Sequence, residues 1–441
     1  MPLLNSMGIL RSMITSAVTT LYTNYFNSIS FGGLNQISTS GVFTSTGGTF
    51  VVGTVPGLIN GDDGFVLKTD SYGNITKQII VRSPQTQNQY SLTLFEPKVD
   101  SQNNLYVAGR YSIFGPGSAY RCFIAKFDNN LNLIWQKVLY NSGTTNAFFD
   151  AIINESLNTI YAVGYTEVST TANSIVAGYD MTTGNLIFQN TVGSNALLAS
   201  GIVLDNASNY YITSATRSTT NRGVEIHKFN SSNVFQWAVR LNTAANSLDI
   251  PKIGIDSNNN IYVGFIIGST AYVAKFNSSG ALQWQKSVSG SYSRFVGLAV
   301  DPSGNTYINI FSDSTNYVYI LKLSTTGTIT WQNYLNDYNG LFTTSVGAYM
   351  DGIEWRGNKL WIGCLSSLFS PTLGYNWVLP DDGTLTGSYT GFSYLPSSLT
   401  VSNSSLTTTS LVNTSTSLSL IDAAGAATIL TGTATQVLVP L

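Results

Sequence analysis

The chain has 441 residues, a formal net charge of −2 and only 10 % charged side chains, whereas 43 % of its residues are apolar and 12 % aromatic. No basic run is available to neutralise a phosphate backbone, which excludes nucleic acid as the expected partner, and so large an apolar fraction excludes a disordered chain. Cys122 and Cys364 stand far apart, outside any C-x-x-C or Cys/His pattern, so they read as half-buried strand residues rather than a disulfide or zinc site.

Residues 1–35 have a rhythm of their own. Leu3, Met7, Leu10, Ile14, Ala17 and Leu21 alternate four and three apart, which predicts a short helical apolar seam capped by Ser6. A helix this short needs a partner, so Leu3, Met7, Leu10, Ile14 and Leu21 are the expected anchoring residues. The same stretch lacks the apolar core and small-residue cleavage site of a signal peptide, and no stretch is apolar for long enough to span a membrane. Synthesis in a host cytoplasm without export is the expectation.

From residue 36 two phrases alternate, seven times each. The first closes a short apolar strand on an acid or amide and turns into an aromatic strand, as in KVDSQNNLYVAG (98–109), IVLDNASNYYITS (202–214) and IGIDSNNNIYVGF (253–265). Further copies lie at 42–54, 152–164, 298–310 and 352–364. The second phrase, of the type YVAKFNSSGALQWQK, occurs at 65–81, 123–139, 175–192, 224–241, 272–288 and 318–335, with a weak last copy around 376–390. Alternating β-branched and aromatic residues predict strands, and the Asp/Asn/Ser/Gly joints predict tight hairpins. Two hairpins per repeat make a four-stranded unit that cannot bury both faces alone, whereas seven units in a ring bury one another. The expected fold is all-β: a seven-bladed β-propeller of four-stranded antiparallel blades over 36–391.

Residues that recur in register read as mortar. Lys68, Lys126, Lys228, Lys275 and Lys322 share one position on the third strand. Their ammonium groups are expected to meet Asp100, Asp205, Asp256, Asp301 or Glu354 at a neighbouring first strand. Trp135, Trp237, Trp284 and Trp331, with Phe188, share a position on the outermost strand, where a flat ring fills the gap between blades and an indole N–H needs an acceptor. Gln136, Gln285 and Gln332 follow three of these and are expected to cap strand edges. Lys77 and Gly387 stand in the Trp place of the first and last repeats, which marks a seam for 1–35 and 392–441 to cover.

The phrases at 297–310 and 317–332 (GLAVDPSGNTYINI, YVYILKLSTTGTITWQ) resemble the SBBP-type seven-bladed propeller repeat and, more distantly, the NHL repeat. DMTTGNLIF at 180–188 is similar to the tryptophan-docking motif of quinoprotein propellers, with Phe188 in the Trp place. These resemblances imply architecture and leave activity open, since propellers host many functions.

Chemistry-bearing motifs are few. His227, the only histidine, sits in the strand phrase VEIHKF and reads as a satisfied strand residue. The pairs Asp62–Asp63 and Asp381–Asp382 precede glycine and read as turns rather than calcium ligands. No G-x-S-x-G, P-loop or dinucleotide fingerprint occurs, so the expectation is a chain with no metal, no cofactor and no enzymatic activity.

Function is therefore sought where the repeats disagree. The connections between hairpins share one face of the ring and vary in length; Tyr111, Phe114, Tyr120, Tyr140, Asn141, Tyr292, Tyr338, Asn339 and Phe369 lie in or beside them. Tyr and Asn on exposed loops suit glycan or protein surfaces, so these nine are the expected binding face. Residues 392–441 alternate Ser/Thr with Leu/Val and predict strands that form a small β-module or join a neighbouring sheet.

A low-charge, Ser/Thr/Asn/Tyr-rich β-protein with short non-propeller ends resembles virion structural proteins of tailed bacteriophages, and MPLLNSMGIL (1–10) is similar to their N-terminal attachment segments. The resemblance implies a fibre, tail-associated or capsid-surface component of the virion, homo-oligomeric in the particle. Its implied partners are virion proteins and a host-surface glycan or protein. Two other classes fit the same residues: a bacterial cell-surface adhesin or lectin, and a polysaccharide hydrolase or lyase using aspartates of the central channel.

Overall fold

The computed structural model describes residues 25–30, 38–56, 62–82, 90–113, 119–140, 144–168, 171–193, 197–216, 222–243, 250–336, 352–365, 374–389, 392–411, 421–424, 428–431 and 435–440. Residues 1–24, with Leu3, Met7, Leu10, Ile14 and Leu21 of the anticipated helical seam, lie outside them.

Its tight joints are closed by aspartates that saturate their own turns. Asp100 Oδ1 accepts the backbone N–H groups of Gln102 and Asn104 at 3.0 and 2.8 Å, and Asn104 Nδ2 donates to Asp100 Oδ2 at 2.8 Å. Asp70/Asn74, Asp128/Asn132, Asp205/Asn209, Asp256/Asn260 and Asp301/Asn305 repeat the clasp. The residue before the closing Asn turns left-handed, with φ of 88° at Gly304, 87° at Gly73 and 62° at Asn103, which is why Gly and Asn recur there.

These hairpins stack into seven four-stranded antiparallel blades around an axis. The innermost strands are Ser38–Phe43, Tyr90–Val99, Thr145–Asn154, Leu197–Leu204, Lys252–Ile255, Arg294–Val300 and Ile353–Arg356. Blades 1 to 6 build outward in chain order, and blade 7 does not. Its fourth strand is Tyr25–Ser30, which pairs with Gly374–Pro380 in a register running from Tyr25↔Val378 to Ile29↔Gly374. The ring is thus closed without a covalent bond, by a strand from the segment set apart as 1–35. Gly387–Tyr389, expected in that place, pairs instead with Phe392–Pro396 beside blade 6. Three residues cannot cover the edge of a seven-residue strand, whereas the six of Tyr25–Ser30 can.

Beyond residue 392 the chain runs back around the outside of the ring. Phe392–Pro396, Val401–Asn403, Thr408–Leu411, Ile421–Ala424, Thr428–Thr431 and Thr435–Pro440 pair antiparallel with the outermost strands of blades 6, 5, 4, 2, 1 and 7 in that order. This belt covers sheet edges that would otherwise recruit strands from other chains. The glutamines after two of the repeated tryptophans hook it on. Gln332 Nε2 donates to Leu399 O at 3.2 Å while its Oε1 accepts Leu399 N–H at 2.8 Å, and Gln285 Nε2 donates to Leu406 O at 2.8 Å.

The core lies between blades. Separate apolar clusters fill the interfaces of blades 1/2, 2/3, 3/4, 4/5 and 5/6, and one larger cluster joins blades 6, 7 and 1. Trp361 and Trp377 are fully enclosed in the last; a buried indole contributes roughly 4–6 kcal/mol of gross transfer free energy. Gly41 of blade 1 makes room for it, since a Cβ there would fall 2.3 Å from Trp361.

Candidate binding face

The recurrent lysines and tryptophans grip the next blade. Trp135, Trp237, Trp284 and Trp331 donate their indole N–H to the carbonyls of Met181, Ser278, Thr325 and Asp381 at 3.1, 3.3, 2.9 and 2.9 Å. Lys126, Lys228 and Lys322 donate to three of those same oxygens, and Lys68 to Asn129 O. Inside its own blade each ammonium of Lys126, Lys228, Lys275 and Lys322 stands about 5 Å over the ring of Tyr106, Tyr211, Tyr262 or Tyr307. Those tyrosines donate to Asp100, Asp205, Asp256 and Asp301. Burial, with the adjacent aspartate, raises their phenol pKa well above the usual range, so they remain donors. The lysine–acid pairs are therefore internal to a blade, Lys228–Asp205 at 3.7 Å and Lys275–Asp256 at 3.8 Å, and do not cross to a neighbouring first strand. Blade 3 replaces both partners at once: Gly178 has no side chain, and Phe188 lies over it.

Several other charges are also paired. Arg240 Nε and Nη2 donate to Glu225 Oε1 at 2.9 and 2.6 Å, and His227 Nε2 lies 2.9 Å from Glu225 Oε2. Burial pushes the Glu225 carboxyl up, but His227 and Arg240 outweigh it and hold it below the usual range. Arg82 pairs with Asp63 at 2.7 Å. On the innermost strands Lys98 meets Asp150 at 3.1 Å and Glu96 at 3.6 Å, and Asp150 Oδ2 accepts Ile202 N–H from blade 4. At the seam, Glu354 Oε2 accepts Phe43 N–H and Arg356 Nη1 donates to Phe43 O, both at 2.8 Å. Burial pushes the Glu354 carboxyl up to about 7, against the opposing pull of Phe43 N–H, Arg356 and Lys98. Cys122 is completely buried rather than half-buried, and burial pushes its thiol up. Among the described residues, no group of three or more His, Cys, Asp and Glu side chains is arranged to hold a metal ion.

Of the nine expected binding residues, Phe114, Asn141, Tyr338, Asn339 and Phe369 lie outside the described residues. Tyr111 and Tyr292 are core residues, 7 % and 3 % exposed. Alternation from Leu105 through Val107 places Tyr111 in the interface with blade 1, and the Tyr292 hydroxyl turns inward to donate to Ser289 O. Strand parity, rather than position beside a loop, sets the burial of Tyr111.

Tyr120 and Tyr140 stand half-buried at the loop-face ends of their strands, each beneath an arginine. Arg110 Cζ lies 4.4 Å from the Tyr120 ring centre, and Arg121 Cζ lies 3.8 Å from that of Tyr140. Neither arginine stood out in the sequence, because isolated strand arginines carry no motif. Arg110 also stands over Phe95 at 5.8 Å. Phe95 meets Phe149 edge-on at 5.6 Å, and Phe149 stacks on Tyr165 at 5.3 Å. Phe95 and Phe149 lie in the bulges of the innermost strands of blades 2 and 3, where an extra residue turns out of the pleat. From blade 3, Asn146 Nδ2 donates to Tyr120 O at 3.2 Å. The arrangement is an arginine framed by aromatic rings at the rim between two blades.

No family model and no curated protein matches the chain. Among solved structures it is similar to a quinonprotein alcohol dehydrogenase-like protein from Bacteroides thetaiotaomicron, at 14 % identity and a TM-score of 0.40. That match covers 67 % of this chain and 65 % of the other, so the chain spans just under two thirds of that protein's length. It is also similar to a polysaccharide lyase (8 % identity, TM-score 0.45, covering 85 % and 95 %) and to a sialidase from Streptococcus pneumoniae (9 %, 0.43, 83 % and 72 %). At such identities the likeness extends to the fold alone. The expectation of a non-enzymatic chain is corrected: the solved structures it is similar to include a polysaccharide lyase and a sialidase.

Proposed function

We propose that the chain is a surface-binding propeller, mounted in copies on a bacteriophage virion through its terminal segments and meeting a host-surface or virion partner with its loop face. The observation that carries this reading is where the ends leave the ring. Tyr25 pairs with Val378 on one side and with Pro440 on the other. Val378 stands near the end of Gly374–Pro380 that leads into a tight joint. Tyr25 and Pro440 therefore stand together at the end of blade 7 on the face opposite the variable loops. A segment attached there holds the propeller with its loops outward, and the belt keeps the sheet edges of crowded copies from pairing.

Truncation tests the reading. Deleting residues 1–24 removes no described strand, so the propeller is expected to fold with unchanged thermal midpoint while the chain disappears from purified virions by mass spectrometry. Deleting residues 1–30 takes the fourth strand of blade 7 as well, and is expected to destabilise the ring. Absence of the full-length chain from virions, or normal incorporation of the 1–24 deletion, overturns the proposal. Absence from virions together with glycan binding would favour the bacterial adhesin or lectin.

A further inference from the structure

Arg110, like Arg121 over Tyr140, stands against aromatic rings, whereas several other described cations have acceptors. Arg82 has Asp63, Arg240 has Glu225, Lys98 has Asp150 and Glu96, and Arg356 has the carbonyl of Phe43. Arg110 has two aromatic rings and no acceptor: its Nε is fully enclosed and makes no hydrogen bond. An enclosed donor without a partner is unfavourable. A cation held over ring faces keeps its geometry and offers its N–H edge. The frame around it is built, since Phe95 is 3 % exposed and Asn146 fully buried.

We propose that Arg110 is the anchor for the carboxylate of an acidic sugar, in a site at the loop-face rim between blades 2 and 3. The guanidinium fork matches a planar carboxylate in bidentate fashion. Half-buried Tyr120 beside Arg110 supplies a ring face and a hydroxyl of the kind that accommodates a pyranose. The inference rests on the loop face being the binding face, and it names the ligand class for that reading.

The test uses the full-length chain and titration calorimetry. Oligosaccharides containing hexuronic acid are compared with their carboxyl-reduced counterparts and with sulfated neutral oligosaccharides of equal length. Carboxyl reduction is expected to weaken binding at least about tenfold, the equivalent of ~1.4 kcal/mol. Arg110→Met is expected to weaken it as much, and Arg110→Lys nearly as much, because a point charge lacks the fork. The thermal midpoint of Arg110→Met should stay level or rise, since an unpaired buried donor is removed; a merely structural arginine would lower it. Equal binding of native and reduced sugars, preference for the sulfated ones, no binding of any, or a destabilised Arg110→Met each overturns the assignment. Virion incorporation of Arg110→Met is expected to be normal, so failure here leaves the mounting proposal standing and failure there leaves this one measurable.

Discussion

Glu354 makes the seam of the ring sensitive to pH. Its carboxyl has an ordinary value of 4.5 and is pushed up to about 7 in the folded chain, chiefly by burial. Below pH 4.5 the group is protonated in both the folded and the unfolded chain and stability is unaffected by it. As pH rises from 4.5 to about 7 the unfolded chain ionises first, so the unfolded state is favoured progressively, and above about 7 the loss is complete. A gap of about 2.5 pH units at ~1.4 kcal/mol per unit corresponds to about 3 kcal/mol. Glu354→Gln keeps an oxygen to accept Phe43 N–H and cannot ionise. In urea unfolding followed from about pH 4.5 to about pH 8, the variant should gain on the parent by about 3 kcal/mol. Groups common to both chains cancel in the difference. Amide exchange at Phe43 should remain protected in the variant. Parallel pH profiles, or a variant that loses ground with rising pH, would refute burial as the dominant influence on this carboxyl.

Two further substitutions probe the interfaces. Gly178→Lys brings a Cβ to 2.2 Å from Phe188 and is expected to cost at least about 1–3 kcal/mol by denaturant unfolding. Adding Phe188→Trp rebuilds the pair used by other blades and should recover part of it, so an additive double-mutant cycle would contradict the pairing. Glu225→Ala leaves buried Arg240 and His227 without their acid and should lose roughly 3–5 kcal/mol, whereas Glu225→Leu with Arg240→Met should regain most of it. Equal losses in the single and double variants would show that blade 4 does not depend on the ion pair.

What the sequence by itself determined was the blade. Period-two alternation, Asp-x-x-x-Asn joints and a repeated Lys/Trp pair are local devices, each legible within a dozen residues, and seven copies that cannot bury themselves alone require a ring. Gln285 and Gln332, each directly after a repeated tryptophan, were legible as edge caps because their parity opposes the indole. Only the tertiary structure decided how the ring closes and what lies outside it. Tyr25–Ser30 completes blade 7, and six short strands between Phe392 and Pro440 pair with the outer edges of six blades, and backbone groups carry no side-chain signature. The same holds at the rim. Arg110, Phe95, Tyr120 and Asn146 come from three strands of blade 2 and one of blade 3, with Phe95 turned by a bulge. Nothing in the linear order marks them as neighbours, because the site exists only where two blades meet.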